Sequence, residues 1–249
     1  MARRLDQRDL QFLELLHDGA NCSVHRARVS GVNRSIAVKI FNDEIAGESQ
    51  SLHELRLSKI LAHPNIVAII DRLEIHGRWC VLMPEYKGGS LAEVMQRSGD
   101  IATWEQVRFL LGSVGTAIAH IHDMGWVHAD IHPGNIAIDT KGNLFLIDFG
   151  NAVPMGHAAS AGTVGFAPPE QWDRFPLDGR ADVFGLAAVA ATMLTQQVYH
   201  HAPDRFRIVW PTGIPTVARQ RMLAALCPDV THRLSDVRML ADLAACDSS

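Results

Sequence analysis

Asp130, Asn135 five residues on and a second acid, Asp148, form a set of oxygen-bearing side chains that could do one job together. They lie in His128-Ala129-Asp130-Ile131-His132-Pro133-Gly134-Asn135 and in Asp148-Phe149-Gly150, with a short apolar strand between. One carboxylate can take the proton of an attacking hydroxyl. The amide and the other carboxylate can hold Mg²⁺ against the phosphates of ATP. Oxygen ligands suit that hard cation, which keeps several of its waters. A lone Asp is most often a solvated loop residue, but this spacing, ending in Asp-Phe-Gly, points to phosphoryl transfer.

The elements that must hold these groups can be read from pattern. Leu10–Leu16, Ser23–Val29 and Ser35–Phe41 read as short strands separated by turn residues, Asp18-Gly19 and Ser30-Gly31-Val32-Asn33. From Glu44 to Leu61 apolar residues recur at helical spacing (Leu52, Leu55, Ile60), and the pattern stops before His63-Pro64. Strands are expected again at Ile66–Ile75 and Trp79–Met83. Residues 84–87 then cross to a helical half, with helices at Trp104–Met124, Ala181–Leu194 and Thr216–Leu226. No repeat, low-complexity tract or linker interrupts the chain. The reading is α+β: one domain over residues 1–249, a small β-rich lobe with one long helix (1–83), a hinge (84–87) and a larger α-helical lobe (88–249).

The loop around Asp130 and the Asp148-Phe149-Gly150 segment resemble the catalytic and metal-binding loops of the protein kinase superfamily. The resemblance extends from about Leu10 to about Leu243. Lys39, in Ile36-Ala37-Val38-Lys39-Ile40, resembles the third-strand Lys that pairs with ATP phosphates, and Glu54 is similar to the helical Glu that pairs with that Lys. Gly162-Thr163-Val164-Gly165-Phe166-Ala167-Pro168-Pro169-Glu170 resembles the end of an activation segment, with Ala-Pro-Pro-Glu for Ala-Pro-Glu. Asp182 matches an Asp that anchors the catalytic loop from beneath, and Arg233 the Arg that pairs with Glu170. The resemblance implies a bilobal fold with ATP between the lobes. It implies a minimal, eukaryotic-like Ser/Thr protein kinase: Asp130 as base, Asn135 and Asp148 on Mg²⁺, and Thr163 bracing Asp130 near a protein substrate. It further implies Met83 as the gatekeeper before a hinge of Pro84, Glu85 and Tyr86, in which Pro84 need offer adenine only its carbonyl. Ser90 would lie near the ribose, and Leu16, Gly19, Val24, Ala37, Ala137 and Ile147 would complete the nucleotide pocket.

Three departures matter. Leu16-His17-Asp18-Gly19-Ala20-Asn21-Cys22-Ser23-Val24 keeps one glycine where the family has three, so fewer backbone N–H groups can approach phosphates and weaker ATP binding is expected. Ala129 stands where the family often has the Arg that receives a phosphorylated activation loop, so activity is expected without that modification. His132 replaces a Lys that contacts the γ-phosphate. It can donate one hydrogen bond and carries charge only below roughly 6.5 if unperturbed, so turnover is expected to rise as it is protonated unless Asp130 titrates first.

Two other functions fit part of the pattern. The Ile131-to-Asn135 stretch also resembles the loop of aminoglycoside and choline phosphotransferases, but those lack a Gly-Thr…Ala-Pro-Glu platform. A pseudokinase that only binds partners would suit the glycine-poor loop, yet Lys39, Glu54, Asp130, Asn135 and Asp148 are all present. Thirteen histidines raise the idea of zinc, with His120, His122, His128 and His132 close in sequence. No Cys or third-ligand spacing accompanies them, and packing of the loop is the better reading. His200-His201 reads as a solvated loop. Residues 196–215, with Pro203, Pro211 and Pro215, show little helical period, and Trp210 is the expected apolar anchor there.

A net charge of −4 gives no footprint for nucleic acid or a membrane surface. Cys22, Cys80, Cys227 and Cys246 lack disulfide or metal spacing, and nothing near Cys22 in sequence would activate its thiol. The start, Met1-Ala2-Arg3-Arg4-Leu5-Asp6, has no apolar leader and no long apolar run follows, so a cytoplasmic, monomeric protein is expected.

Overall fold

The computed structural model describes residues 6–31, 35–159, 162–198 and 208–245. Val32 and Asn33 of the predicted turn, the first five residues, His200, His201, Pro203 and Cys246 lie outside the described residues. The chain divides into two compact units. One comprises the described residues up to 62 together with 66–87 and 148–150; the other takes 63–65, 88–147 and the described residues from 151 on.

The first unit is an antiparallel sheet of β1 (Leu10–Asp18), β2 (Cys22–Val29), β3 (Ser35–Phe41), β4 (Asp71–Ile75) and β5 (Arg78–Pro84), with α1 (Glu44–Ile60) packed on it. The strand order is β1-β2-β3-β5-β4, which makes β3 the central strand. Val38 on one face of β3 joins Ala27, Val29, Ile36, Ile75, Cys80 and Leu82 in an apolar core. Alternation then turns Ala37 and Lys39 to the other face, and both are buried too.

Helix α1 starts where Asp43 accepts the N–H groups of Ile45 and Ala46. Its buried face is not the Leu52, Leu55, Ile60 stripe expected from sequence. It is Gly47, Ser51, Glu54, Leu57 and Ser58, while Ile60 is exposed. Apart from Leu57, the inward face is small or polar, and it presents Glu54. Gly47 permits the approach: a Cβ there would stand 2.8 Å from the Cβ of Phe41. Polar bonds fix the helix, since Arg72 donates to Ser51 Oγ (2.7 Å) and to the Glu48 carbonyl (3.1 Å) while stacking on Trp79.

The strand expected at Ile66–Ile75 begins only at Asp71. Upstream, Ser58 Oγ donates to the Val67 carbonyl (3.3 Å) and accepts the Ile69 N–H (2.7 Å), which ties residues 67–69 to α1, while the Ile70 N–H already reaches the Leu82 carbonyl of β5 (2.7 Å).

The second unit is helical. It holds β6 (Gly89–Ser90), α2 (Leu91–Ser98), α3 (Trp104–Asp123), β7 (Trp126–Val127), β8 (Ile136–Ile138), β9 (Leu144–Leu146), β10 (Val153–Pro154), α4 (Pro169–Trp172), α5 (Arg180–Thr195), α6 (Thr216–Ala225) and α7 (Arg238–Ala241). Capping boxes start α2 (Ser90 with Glu93) and α3 (Thr103 with Gln106). Every residue of α5 from Ala181 to Leu194 is buried, the mark of a central core helix, and α3 and α6 pack against it. Residues 63–65 belong here for a local reason. Asn65 Nδ2 donates to the Leu144 carbonyl and the Leu146 N–H to the Asn65 carbonyl, both at 2.8 Å, and His63 stacks on His120. No helix among the described residues is long and apolar enough to cross a membrane.

Candidate active site

In the first unit, Lys39 Nζ donates to Glu54 Oε1 and to Asp148 Oδ1, each at 2.7 Å. Lys39 and Glu54 are almost completely buried, and Asp148 is about one-third exposed. Burial alone would push the ammonium pKa down, but the two carboxylates outweigh it and the net direction is up. Lys39 therefore stays charged. Burial pushes Glu54 up to about 7 against the pull of Lys39, with the charge of Asp148 adding to the rise. Asp148 holds a left-handed backbone (φ 63°), and its Oδ1 also accepts the Gly150 N–H at 3.1 Å.

That rise has a kinetic consequence if Lys39 must be held for turnover. Ionised Glu54 grips the ammonium and protonated Glu54 does not, so turnover should decline as pH falls from about 7 toward 6. Glu54→Gln should be slower throughout and lack this acid limb. A Glu54→Gln variant that keeps the parent's rate profile over this range would refute the assignment.

The β1–β2 turn is tightly braced. Gly19 N–H donates to the Cys22 carbonyl (3.0 Å), and Asn42 Nδ2 donates to the carbonyls of Gly19 and Ala20 (both 3.1 Å). Burial raises the Cys22 thiol pKa and prevails over Lys39, which pulls it down, so Cys22 is held as a thiol. Nearby, Val24 pairs with Lys39 and Ala37 with Met83 across the sheet. Leu16 lies half-buried in β1. Pro84 ends β5 opposite Ile36, and Tyr86 follows in the chain. The Glu85 carboxylate beyond Pro84 accepts from Arg26 Nε (2.6 Å) and from the Ser35 hydroxyl, tying this crossing segment to β2 and β3.

In the second unit both oxygens of the Asp130 carboxylate accept side-chain hydrogen bonds. Thr163 Oγ1 donates to Oδ1 at 2.8 Å, and Oδ2 accepts from Asn151 Nδ2 (3.1 Å) and Asn135 Nδ2 (3.3 Å). Asn135 Nδ2 also donates to the Asp130 carbonyl at 3.0 Å. With its amide N–H groups so committed, Asn135 has its carbonyl oxygen to offer a cation. An amide oxygen is a donor type Mg²⁺ takes. His132 Nδ1 accepts the Gly134 N–H at 3.1 Å, which makes Nε2 the ring's donor; Nε2 stands 3.8 Å from Asp130 Oδ2.

Beneath this loop, Asp182 is 1% exposed and takes both the His128 N–H and the Ala129 N–H at 2.9 Å, with His122 Nε2 at the same distance. Burial works to raise its pKa, but the His122 hydrogen bond and the neighbouring histidines bring it below the usual carboxylate range. Ala129 is left-handed (φ 61°). Gly185 lets α5 come close underneath, since a Cβ there would meet Ile131 Cβ at 2.9 Å. His128 Nε2 lies 3.3 Å from the Ile147 carbonyl, and the Ile147 N–H reaches the Asn135 carbonyl at 2.9 Å. Ser90 pairs with Ala137 in the β6–β8 ladder, and its hydroxyl caps α2 by accepting the Glu93 N–H at 3.2 Å. Arg233, nearly fully buried, makes a two-pronged pair with Glu170 (Nη2 to Oε2 2.9 Å) and donates to the Cys227 and Pro228 carbonyls.

A family model of the protein kinase domain matches residues 10–219. The chain belongs to the protein kinase family. It is 27% identical over 246 residues to the serine/threonine-protein kinase PrkC of Bacillus subtilis, covering 90% of this chain and 38% of that protein. It is 29% identical over 224 residues to the DNA damage-responsive serine/threonine-protein kinase RqkA of Deinococcus radiodurans, covering 78% of this chain and 33% of RqkA. The serine/threonine-protein kinase PknJ of Mycobacterium tuberculosis is 30% identical over 195 residues, 73% of this chain and 33% of PknJ. The chain thus spans between a third and two fifths of the length of these relatives. The α+β kinase fold expected from sequence is the fold found.

Two side chains of this kinase lie in no motif that would announce them. Asn151, directly after Asp-Phe-Gly, donates to Asp130. Gln171, 2% exposed and next to Glu170, donates Nε2 to the Ala129 carbonyl at 2.7 Å.

Proposed function

We propose that this kinase domain, residues 1–249, transfers the γ-phosphoryl group of ATP to Ser or Thr hydroxyls of a protein substrate. The observation that carries the reading is the 2.8 Å hydrogen bond from Thr163 to Asp130, which couples the polypeptide-receiving segment to the base. The similarity to three serine/threonine-protein kinases supports the same acceptor class.

Lys39, aligned by Glu54, binds phosphate oxygens of ATP. Leu16, Gly19, Val24, Ala37, Met83, Pro84, Tyr86, Ser90, Ala137 and Ile147 form the nucleotide pocket. Asn135 and Asp148 hold Mg²⁺, which when bound supplies positive charge against the charge developing on the phosphates. Asp130 orients the substrate hydroxyl and takes its proton as the bond to phosphorus forms. His132 donates through Nε2 toward the transferring group. The protein's share of the work is positioning and charge placement.

Activity does not require phosphorylation of the activation segment. Ala129 provides no guanidinium to receive a phosphate, and the neutral Gln171 amide already secures the Ala129 carbonyl. The reduced cysteines Cys22, Cys80 and Cys227 suit a cytoplasmic setting.

The test is incubation with radiolabelled ATP and Mg²⁺, with generic protein substrates in one arm and aminoglycosides or choline in another. Label is expected on protein Ser and Thr, none with Asp148→Ala, and the rate should be unchanged after phosphatase treatment. Label on the small molecules alone, or nucleotide binding without transfer, would overturn the proposal. A large fall after phosphatase would overturn its regulatory part.

A further inference from the structure

We infer that Asn151 is a positioning residue for Asp130, fixing which carboxylate oxygen receives the substrate proton; the inference rests on the functional reading above. An ionised carboxylate offers about two acceptor sites on each oxygen. On Asp130, Oδ2 accepts from both Asn151 (3.1 Å) and Asn135 (3.3 Å), with His132 Nε2 a further 3.8 Å neighbour. Oδ1 accepts from Thr163 at 2.8 Å. Two amide donors fill Oδ2, whereas Oδ1 keeps capacity for one more hydrogen. The hydroxyl therefore delivers its proton to Oδ1, beside Thr163.

The three donors are not equivalent. Asn135 bonds more closely to the Asp130 carbonyl (3.0 Å) than to its carboxylate, and its own carbonyl is assigned to Mg²⁺. Asn151 has no metal role in the proposal. It is the donor that can keep Oδ2 oriented while Asn135 serves the cation. Its place directly after Gly150 also ties the start of the activation segment to the base, as Thr163 ties the far part. The segment is thus fastened to one carboxylate at two points, by neutral groups. Hydrogen bonds to a charged group contribute more than neutral ones, and their directionality is what rotamer selection requires.

Asn151→Asp removes the donor at constant shape and sets a negative charge against Asp130. Asn151→Leu removes the donor without adding charge, and Asn151→Ser keeps a shorter one. Turnover should fall about tenfold in Asn151→Leu, a loss of roughly 1.4 kcal/mol, and further in Asn151→Asp. Asn151→Ser should recover part of the loss, and KM for ATP and the melting temperature should stay near parent values. A second readout does not depend on turnover. The carboxyl carbon resonance of Asp130 in the nucleotide-free protein should move in Asn151→Leu and return toward the parent in Asn151→Ser.

A parent chain that transfers phosphate alongside an Asn151→Leu variant of equal kcat overturns the inference alone, as does an unmoved Asp130 resonance. Equal losses in kcat and melting temperature across all three variants would make Asn151 a packing residue and also overturn it. A parent chain that transfers nothing, with the resonance shifted as expected, instead overturns the functional reading and leaves the Asn151–Asp130 contact established.

Discussion

Replacing Asp130 by Asn is expected to slow phosphoryl transfer about a thousandfold, the middle of the range for losing a positioned general base. The expectation follows from what surrounds the carboxylate. Thr163, Asn135 and Asn151 all donate to it, so the site is built for an acceptor with four lone-pair positions. An amide of the same shape presents an NH₂ to at least one of those donors. It must either rotate or lose a bond, and in neither state can it take a proton. KM for ATP should change little, because in the proposal Asp130 touches the hydroxyl and not the nucleotide. Steady-state kinetics with radiolabelled ATP, with circular dichroism as a control for folding, would measure the effect. A kcat within tenfold of the parent would show that the hydroxyl needs no base here.

The second large effect is on stability. Asp182→Ala should lower the melting temperature by about 10 °C, from a loss of about 3–5 kcal/mol at about 2–4 °C per kcal/mol in a chain of this size. The buried carboxylate holds the His128 and Ala129 N–H groups and His122 at once. Removing it strands two buried backbone donors and a histidine. It also releases the left-handed backbone of Ala129, a conformation a non-glycine residue keeps only when its surroundings impose it. Asp182→Asn retains an acceptor oxygen and should fall between the two. Thermal unfolding followed by circular dichroism is the measurement. An Asp182→Ala protein melting within about 2 °C of the parent would refute this anchoring role.

Long elements and their order were legible in the sequence because period and stop signals coincide. The helices at Trp104–Asp123, Arg180–Thr195 and Thr216–Ala225 fall within a residue or two of their expected ends, as do four of the five sheet strands. The fourth strand was read five residues too long, since Ile66–Ile70 has strand composition but Val67 and Ile69 bond to Ser58, with Ile70 bonding Leu82 of β5. The two- to four-residue elements, such as β6, β7, β10, α4 and α7, are too short to carry a period at all. Helix α1 was found but read with the wrong face inward. Periodicity weighs apolarity, and this helix buries a carboxylate, two serines and a glycine around a single leucine, Leu57.

The candidate site divides in the same way. Lys39 with Glu54 and Asp148, and Asp130 with Asn135 and Thr163, come from residue types and spacing that chemistry restricts, and each group is brought together within its unit. Asn151 and Gln171 were illegible because a carboxamide has no characteristic spacing. It acquires meaning only when the fold brings an acceptor to it, here 21 residues away for Asn151 and 42 for Gln171.

The inward face of α1 carries a last implication. Greasy surfaces tolerate slippage, because transfer from water is indifferent to which carbon meets which. Hydrogen bonds tolerate far less, since they weaken steeply off line. A helix seated by Ser51, Ser58 and Glu54, with Gly47 pressed against Phe41, has a single phase in which all its polar groups are matched. Rotating it by even one residue would unseat them together, so its docking is closer to a lock's tumblers than to a sliding fit.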